Sequence, residues 1–459
     1  MEGLARLLDA LGPEVACPGA QADPRFLRDW TAATPVVPLA LIRPRTTGEV
    51  SAALALCNAE RIAVVPQGGR TGLVGGAQPL ADAVVVSLDR LSAPPAIDPL
   101  ARIATVDAGV TLAALQAAAA GHGLAFPVDF GARGSCQIGG MISTNAGGIR
   151  AFRHGMTRAN VLGLEAVLPG GRVVNAMNRH LKNNAGYDIR QLFIGAEGTL
   201  GIVTRAVLRL VEAEPLRATA LLAVPDVAAA RAVLDRLERL PGLAALEAMW
   251  PRYWSYACAA TGLDPLSLRP SGREIVLLAE LRGWEEEALQ TALLTAAAGL
   301  TEEGIVLDSA FAASEAQAEG FWRLREANAE LYRHFPHLLG FDVSIDPGRT
   351  EELIARVGVS LAADEQALWF GHMGDANLHL GLIRTDPSPD RAKRLKCVLY
   401  GAVRDLEGSV SAEHGIGAEK LEWLGHTRNA AEIALMQSLR AMLDPNGIMN
   451  PGRTVPRGG

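Results

Sequence analysis

The chain has 459 residues, 49% apolar and 20% charged, with a formal net charge of −7 at neutral pH. That length allows about three domain-sized units with large cores and excludes a disordered chain, and so mild a charge with scattered arginines excludes a nucleic-acid footprint. Five widely spaced cysteines exclude a disulfide framework and a CxxC site, and no apolar run is long enough for a signal peptide or a membrane span, so a cytoplasmic protein is expected.

In chain order, residues 2–11 predict a short amphipathic helix, stopped by Gly12 and Pro13. Residues 36–42 read as a strand, and residues 47–60 as a helix that Thr47 caps, with Val50, Leu54 and Leu56 at apolar positions. A strand over 62–65 feeds the stretch VVPQGGRTGLVGG, residues 64–76. Strands over 83–88 and 102–107 and a helix over 111–120, ended by Gly121, lead to a second glycine-rich stretch, GARGSCQIGGMISTNAGG, residues 131–148.

Glycine loses the most backbone entropy on folding, so repeated glycines mark turns that other residues cannot make or backbone that approaches a ligand. Successive loop N–H groups form a concavity for phosphate oxygens, and two such loops suit a pyrophosphate with a large planar head, which is a dinucleotide. Neither stretch is GxGxxG opening a helix or GxxxxGK[ST], so neither a Rossmann site nor a P-loop is written here. The candidate cradle residues are Pro66, Gly68, Gly69, Arg70, Thr71 and Gly72 in the first stretch. In the second they are Ser135, Cys136, Gly139, Gly140, Thr144, Asn145, Gly147 and Gly148.

Residues 160–174 predict a hairpin turning at Pro169, Gly170 and Gly171, and a third glycine-controlled turn, with Gly195, Gly198 and Gly201, precedes a strand over 202–210. Composition shifts after Glu214. Strand 218–224, helix 227–240, strands 243–249 and 274–281 and helix 284–298 predict an α+β domain with a largely antiparallel sheet. Residues 316–336 are expected to be helical and carry Arg323, Arg325 and Arg333, of which Arg323 and Arg333 fit a solvated basic face.

The stretch ALWFGHMGDANLHLGLI, residues 367–383, predicts a strand ending at His372, a tight turn, and a strand beginning at His379. Such a hairpin folds the two histidines toward each other. SVSAEHGIGAEK then places Glu413 and His414 at the end of another strand. Two imidazoles and a carboxylate are enough to hold a catalytic divalent metal with an open position, zinc or manganese by donor type, so His372, His379 and Glu413 are the candidate ligands.

Taken together, these motifs resemble the FAD-linked oxidase and dehydrogenase family that includes D-lactate dehydrogenases, the glycolate oxidase FAD subunit and D-2-hydroxyglutarate dehydrogenase. The matching stretches are PQGGRTGLVGG (66–76), GSCQIGGMISTNAGG (134–148), GYDIRQLFIGAEGTLGIVT (186–204), GHMGDANLHL (371–380), EHGIG (413–417) and DPNGIMNPGR (444–453). They cover nearly the whole chain. The resemblance implies an α+β fold of the vanillyl-alcohol oxidase or PCMH type: an N-terminal helical segment over 1–35, a two-lobed FAD-binding domain over 36–214, a substrate or cap domain with the metal site over 215–425, and a helical segment over 426–459 packing on the FAD domain. It adds Gly198, Gly201, Ile202 and Asn450 to the cofactor's surroundings. The family's covalent-flavin histidine pattern is not evident, so the FAD is expected to be non-covalent.

The resemblance further implies oxidation of a D-2-hydroxy acid to a 2-oxo acid. His372, His379 and Glu413 fall on the family's metal ligands, His414 on its base, Arg325 on the arginine that clamps the substrate carboxylate, and Asn377 on a position able to hold a substrate oxygen. The metal orients the 2-hydroxyl and lowers its pKa, and His414 takes its proton as the C2 hydride passes to flavin N5, work that suits an imidazole titrating near neutrality. Ala329 stands where the 2-hydroxyglutarate enzymes have a threonine and Gly340 where they have a lysine. A D-lactate-like monocarboxylate is therefore expected ahead of D-2-hydroxyglutarate or D-malate. The rival classes are a flavin-dependent carbon–oxygen bond-forming transferase on the same scaffold and a non-enzymatic glycine-rich interaction module. No nicotinamide fingerprint is present, so the expected electron acceptor is an electron-transfer flavoprotein, a quinone or a cytochrome, and a homodimer is compatible with the sequence.

Overall fold

The structure, a computed structural model, describes residues 2–32, 34–265 and 274–456. The chain divides into two compact units, one of Met1–Gly148, His154–Ala213 and Glu413–Gly459, the other of Ile149–Arg153 and Glu214–Ala412. Each combines helices with sheets, so the fold is α+β with a helical C-terminal region, and no described helix is long and apolar enough to cross a membrane.

In the first unit, Ala16–Pro18, Ala40–Ile42, Ala83–Ser87 and Ala63–Gln67 form a four-stranded sheet in that order, parallel among the last three. The strand Ala83–Ser87 is buried at every position, as a parallel strand covered on both faces must be. The strand expected over 36–42 is confined to Ala40–Ile42, because Pro38 has no N–H to give a ladder. The helix Thr47–Ala59 is capped one residue earlier than expected: Thr46 accepts the Glu49 N–H, and the Thr47 hydroxyl instead donates to Glu165 at 2.6 Å. A five-stranded antiparallel sheet runs in the order Ala96–Asp98, Ile103–Asp107, Ile202–Arg209, Val161–Val167 and Val173–Ala176. The Ala430–Leu443 helix starts at a capping box made by Asn429 and Glu432, and Arg440 in its last turn donates to the carbonyls of Met449, Asn450, Arg453 and Val455.

The second stretch of glycines is not all loop. Ile138–Thr144 forms a helix whose C-cap, Asn145, takes the left-handed conformation at φ 51°. Ile138, Met141 and Ile142 enter the core, and that burial overrides the poor helix propensity of Gly139 and Gly140.

The second unit is built on a seven-stranded antiparallel sheet in the order Asp308–Phe311, Leu216–Val224, Ile275–Gly283, Leu243–Met249, Gln366–His372, Asn377–Ile383 and Leu339–Ser344. The helix Pro251–Thr261 and the strand Asp308–Phe311 have no counterpart in the sequence reading. The region read as one helix over 316–336 is broken into Glu315–Arg325, a 3-10 turn Glu326–Glu330 and Leu331–His334. Tyr253, Trp254, Phe321, Trp322 and Leu324 from these helices pack on Leu221, Met249, Val276, Leu278, Leu368 and Phe370 of one sheet face.

Candidate active site

On that same face, cross-strand register sets the side chains of the second unit in rows, because paired residues of neighbouring strands share a face. Glu247, His372, Asn377 and Ser344 form the first row, Met249, Phe370, His379 and Asp342 the second, and Leu368, Gly381 and Gly340 the third. The two histidines are diagonal neighbours, and their Nε2 atoms face each other at 3.3 Å. Glu247 Oε1 lies 2.7 Å from His372 Nδ1, and Glu247 Oε2 accepts from Arg325 Nε at 2.8 Å. Burial pushes the Glu247 carboxyl up, but its pairing with His372 and Arg325 outweighs that and holds the group below its ordinary value. An ionised carboxylate only accepts. The His372 Nδ1 therefore carries the proton, and in the neutral ring Nε2 keeps its lone pair for a metal. Two imidazole nitrogens 3.3 Å apart are within reach of one ion at the usual metal–nitrogen distance of about 2.0–2.1 Å.

Arg325 is buried, with its guanidinium carbon 4.9 Å from the Phe370 ring centroid. Glu247 meets its inner nitrogen, which leaves the terminal pair as the edge that can grip an anion. Asn377 is buried too, and neither end of its amide has a hydrogen-bond partner among the described residues. A buried polar group without a partner is costly unless a ligand meets it. Asp342 has Oδ1 3.9 Å from His379 Nδ1, and its Oδ2 accepts the Ala412 N–H at 3.1 Å. Glu413 and His414 are the next residues of the chain. They lie in bends rather than at the end of a strand, the strand-like pairing here being the isolated bridge of Ser344 with Ser409.

Within the first unit, three glycine-bearing segments meet. A Cβ on Gly69 would lie 2.0 Å from the Ser135 carbonyl oxygen, one on Gly68 3.4 Å from Gly140 Cα, and one on Gly198 2.9 Å from Pro66 Cγ. Gly140 and Gly72 by contrast face open space, a Cβ on Gly140 finding only Gly68 Cα at 4.0 Å. Where Gly68 and Gly140 approach, the buried Oε1 of Gln137 has no donor among the described residues. The crevice of bare backbone fits a phosphate-bearing cofactor, and the Gln137 oxygen, an acceptor, would be met by a donor such as a hydroxyl or ring N–H of that cofactor rather than by its phosphates. Arg70, at φ 59°, lies over the Phe26 ring, and burial pulls its pKa down. Thr71 follows it in the chain. The Thr144 hydroxyl donates back to Gly140 O at 3.0 Å. The side chains of Cys136 and Ile202 are core, so these two can offer a ligand only backbone. A Cβ on Gly139 would collide with Ala108 and one on Gly201 with the Val167 carbonyl; these two glycines serve close packing. Asn450 donates to the carbonyls of Gly76 and Glu197. Glu413 accepts the Gly148 N–H at 2.9 Å, and a Cβ on Gly147 would lie 2.5 Å from the same carboxylate.

Two family models match the chain, an FAD binding domain over residues 38–177 and the C-terminal domain of FAD linked oxidases over residues 214–454. The chain belongs to the FAD-linked oxidase family. It is 39% identical over 436 residues to a D-2-hydroxyglutarate dehydrogenase of Xanthomonas citri pv. viticola, covering 93% of this chain and 91% of that one. It is 37% identical over 438 residues to a D-2-hydroxyglutarate dehydrogenase of Stutzerimonas stutzeri, covering 93% of each. The fold is also that of an alkyldihydroxyacetonephosphate synthase, with a TM-score of 0.75 at 15% identity over 98% of this chain and 84% of that one. At that identity the likeness shows the architecture alone.

As an FAD-linked oxidase the protein is an FAD-dependent oxidoreductase with the vanillyl-alcohol oxidase type of fold. The expectation of a cytoplasmic location is corrected by the relatives. Those from Bos taurus (35% identical, over 93% of this chain and 79% of that one), Danio rerio, Arabidopsis thaliana and Rattus norvegicus are mitochondrial by name. The lack of a secretory or membrane segment does not assign a compartment. Sequence reading of this oxidase missed Glu247 and Asp342. The available signal was an ionisable residue inside an apolar strand, LAALEAM and LGFDVS, which is rare unless the charge is paired.

Proposed function

We propose that this FAD-linked oxidase oxidises a D-2-hydroxy acid to the 2-oxo acid, and that the substrate is D-2-hydroxyglutarate. The observation that carries the reading is the pair of imidazole nitrogens 3.3 Å apart beside a guanidinium held by the same carboxylate. It supports the reading because a divalent cation on the imidazoles beside an anion on the guanidinium would suit a hydroxyl adjoining a carboxylate. The D-2-hydroxyglutarate dehydrogenase relatives at 39% and 37% identity favour the dicarboxylate over the D-lactate-sized acid to which Ala329 and Gly340 pointed.

In this reading Arg325 binds the carboxylate next to the hydroxyl, Asn377 offers its unmet amide to a substrate oxygen, and His414 accepts the hydroxyl proton. His372, His379 and Glu413 hold a divalent ion, zinc or manganese by donor type, which lowers the pKa of a hydroxyl beside it. The glycine segments hold FAD non-covalently, and the flavin, when bound, accepts the two electrons that leave C2. An electron-transfer flavoprotein, a quinone or a cytochrome reoxidises it.

The test is anaerobic mixing of the purified protein with D-2-hydroxyglutarate, D-lactate, D-2-hydroxybutyrate, glycolate and D-malate, with L-enantiomers as controls. D-2-hydroxyglutarate is expected to bleach the flavin band with the highest kred/Kd and to leave as the 2-oxo acid. A higher value for D-lactate returns the smaller substrate. Bleaching by none of them overturns the oxidation and leaves the bond-forming transferase, which needs no net reduction.

A further inference from the structure

The third row of the site face is floored by two glycines opposite each other, Gly340 and Gly381. Gly340 is not among the residues with positive φ, so the backbone does not ask for glycine there. Space does. A Cβ on Gly340 would lie 2.1 Å from the hydroxyl oxygen of Tyr332 and 3.3 Å from its Cζ. The phenol occupies the volume that any side chain at position 340 would take. Gly381 is crowded by apolar atoms, a Cβ there meeting Leu338 Cδ1 at 3.2 Å and Leu331 Cδ1 at 3.6 Å. The notch thus has apolar walls and, from Tyr332, a hydroxyl.

Its position relative to the histidines follows from register. Gly340 stands two residues before Asp342, and Gly381 two residues after His379, so all four share the face. One side-chain repeat along a strand is about 7 Å, comparable to the reach of a five-carbon dicarboxylate from its C2 hydroxyl to its far carboxylate. Lactate, whose third carbon is a methyl group, does not extend to it. Tyr332 is 47% exposed as a whole residue, but its hydroxyl end is the part tucked against the sheet over Gly340, and burial there pushes the phenol's pKa up, so it stays a protonated donor.

We propose that Tyr332 is the specificity-determining residue for the far end of the substrate, its hydroxyl donating a hydrogen bond to the second carboxylate. The inference rests on the reading of the site as that of a D-2-hydroxyglutarate dehydrogenase. It accounts for a dicarboxylate being held where no cation stands at position 340: a phenol is neutral near pH 7 and still donates to an anion. It also assigns Gly340 a role, which is to leave room for that phenol.

Tyr332→Phe removes the donor and keeps the ring. In the flavin-loaded protein, the ratio of kcat/KM for D-2-hydroxyglutarate to that for D-2-hydroxybutyrate is expected to fall about tenfold to a hundredfold, the worth of a hydrogen bond to a charged group. Gly340→Ala, which pushes the phenol aside, is expected to lower the same ratio, and the double variant to lower it no further than the larger single effect. An unchanged ratio in Tyr332→Phe overturns the proposal. Binding of 2-oxoglutarate, read as a thermal shift, reports the contact without turnover. If the parent oxidises neither acid yet binds 2-oxoglutarate more tightly than Tyr332→Phe does, the functional reading fails and Tyr332 keeps its role. Equal binding by parent and variant removes that role.

Discussion

Glu247 and His372 stand opposite each other on adjacent antiparallel strands, with carboxylate oxygen and Nδ1 2.7 Å apart. The other oxygen of that carboxylate accepts from Arg325. One buried acid therefore orients both the imidazole that would meet a metal and the guanidinium that would meet an anion. Disturbing it is expected to affect two binding events at once.

Glu247→Gln is expected to lower affinity for the divalent ion by about 10–100-fold, the usual cost of removing the partner that orients a histidine ligand. It should also raise KM for the hydroxy acid, because Arg325 loses its counter-charge. Metal titration of chelator-treated protein measures the first effect. In the parent, the same chelation should stop turnover and leave the flavin absorbance in place. If stripped protein keeps its rate, the histidine pair is structural.

His414→Ala is expected to slow flavin reduction by roughly 10²-fold while flavin and metal contents stay at parental levels. Single-turnover mixing with substrate reads the rate. Parental kred in this variant would take His414 out of the base role.

Two glycine variants separate packing from cofactor approach. Gly69→Ala drives a Cβ to 2.0 Å from Ser135 O and is expected to destabilise the first unit by about 1–3 kcal/mol, visible as a lower Tm. Gly140→Val points into open space and is expected to keep the fold and lose most of the flavin. A Gly140→Val protein as yellow as the parent would move the cofactor away from this crevice.

Acid should weaken the second unit through Glu365. Burial pushes this carboxyl up, but Arg394, the Ala362 N–H and Arg391 outweigh it and bring it from 4.5 down to about 2. A carboxyl depressed on folding adds stability that is complete above its unfolded pKa and lost as pH falls toward the folded one. The contribution is therefore full above about pH 4.5 and drains away between there and about pH 2. Glu365→Gln should lower the urea midpoint at pH 7, and its difference from the parent should shrink through that window.

Much of the site was legible because its chemistry is local in the chain. The glycine stretches announce bare backbone, and HMGDANLH is short enough that any hairpin must bring His372 near His379. What could not be read depends on register. Glu247 lies 125 residues from His372, and nothing in LAALEAM says which strand it will face. The helix Ile138–Thr144 was hidden by glycines whose low propensity is overruled by the core beneath them. Gly340 showed only a missing side chain. That Tyr332 fills its place emerges only when the turn Glu326–Glu330 and the helix Leu331–His334 are folded over the sheet.

The first unit recruits Glu413–Gly459 from beyond the whole of the second. Met449 bridges to Val64, and Asn450 donates to the carbonyls of Gly76 and Glu197. During synthesis, then, the earlier segments of the first unit must wait for partners that leave the ribosome only after the second unit, a delay on the order of tens of seconds at typical bacterial or eukaryotic elongation rates. Through that interval the glycine segments are exported without the residues that close them. The newborn chain should depend on chaperones until Glu413–Gly459 has emerged, and messages broken ahead of residue 413 should yield protein that is degraded rather than merely inactive.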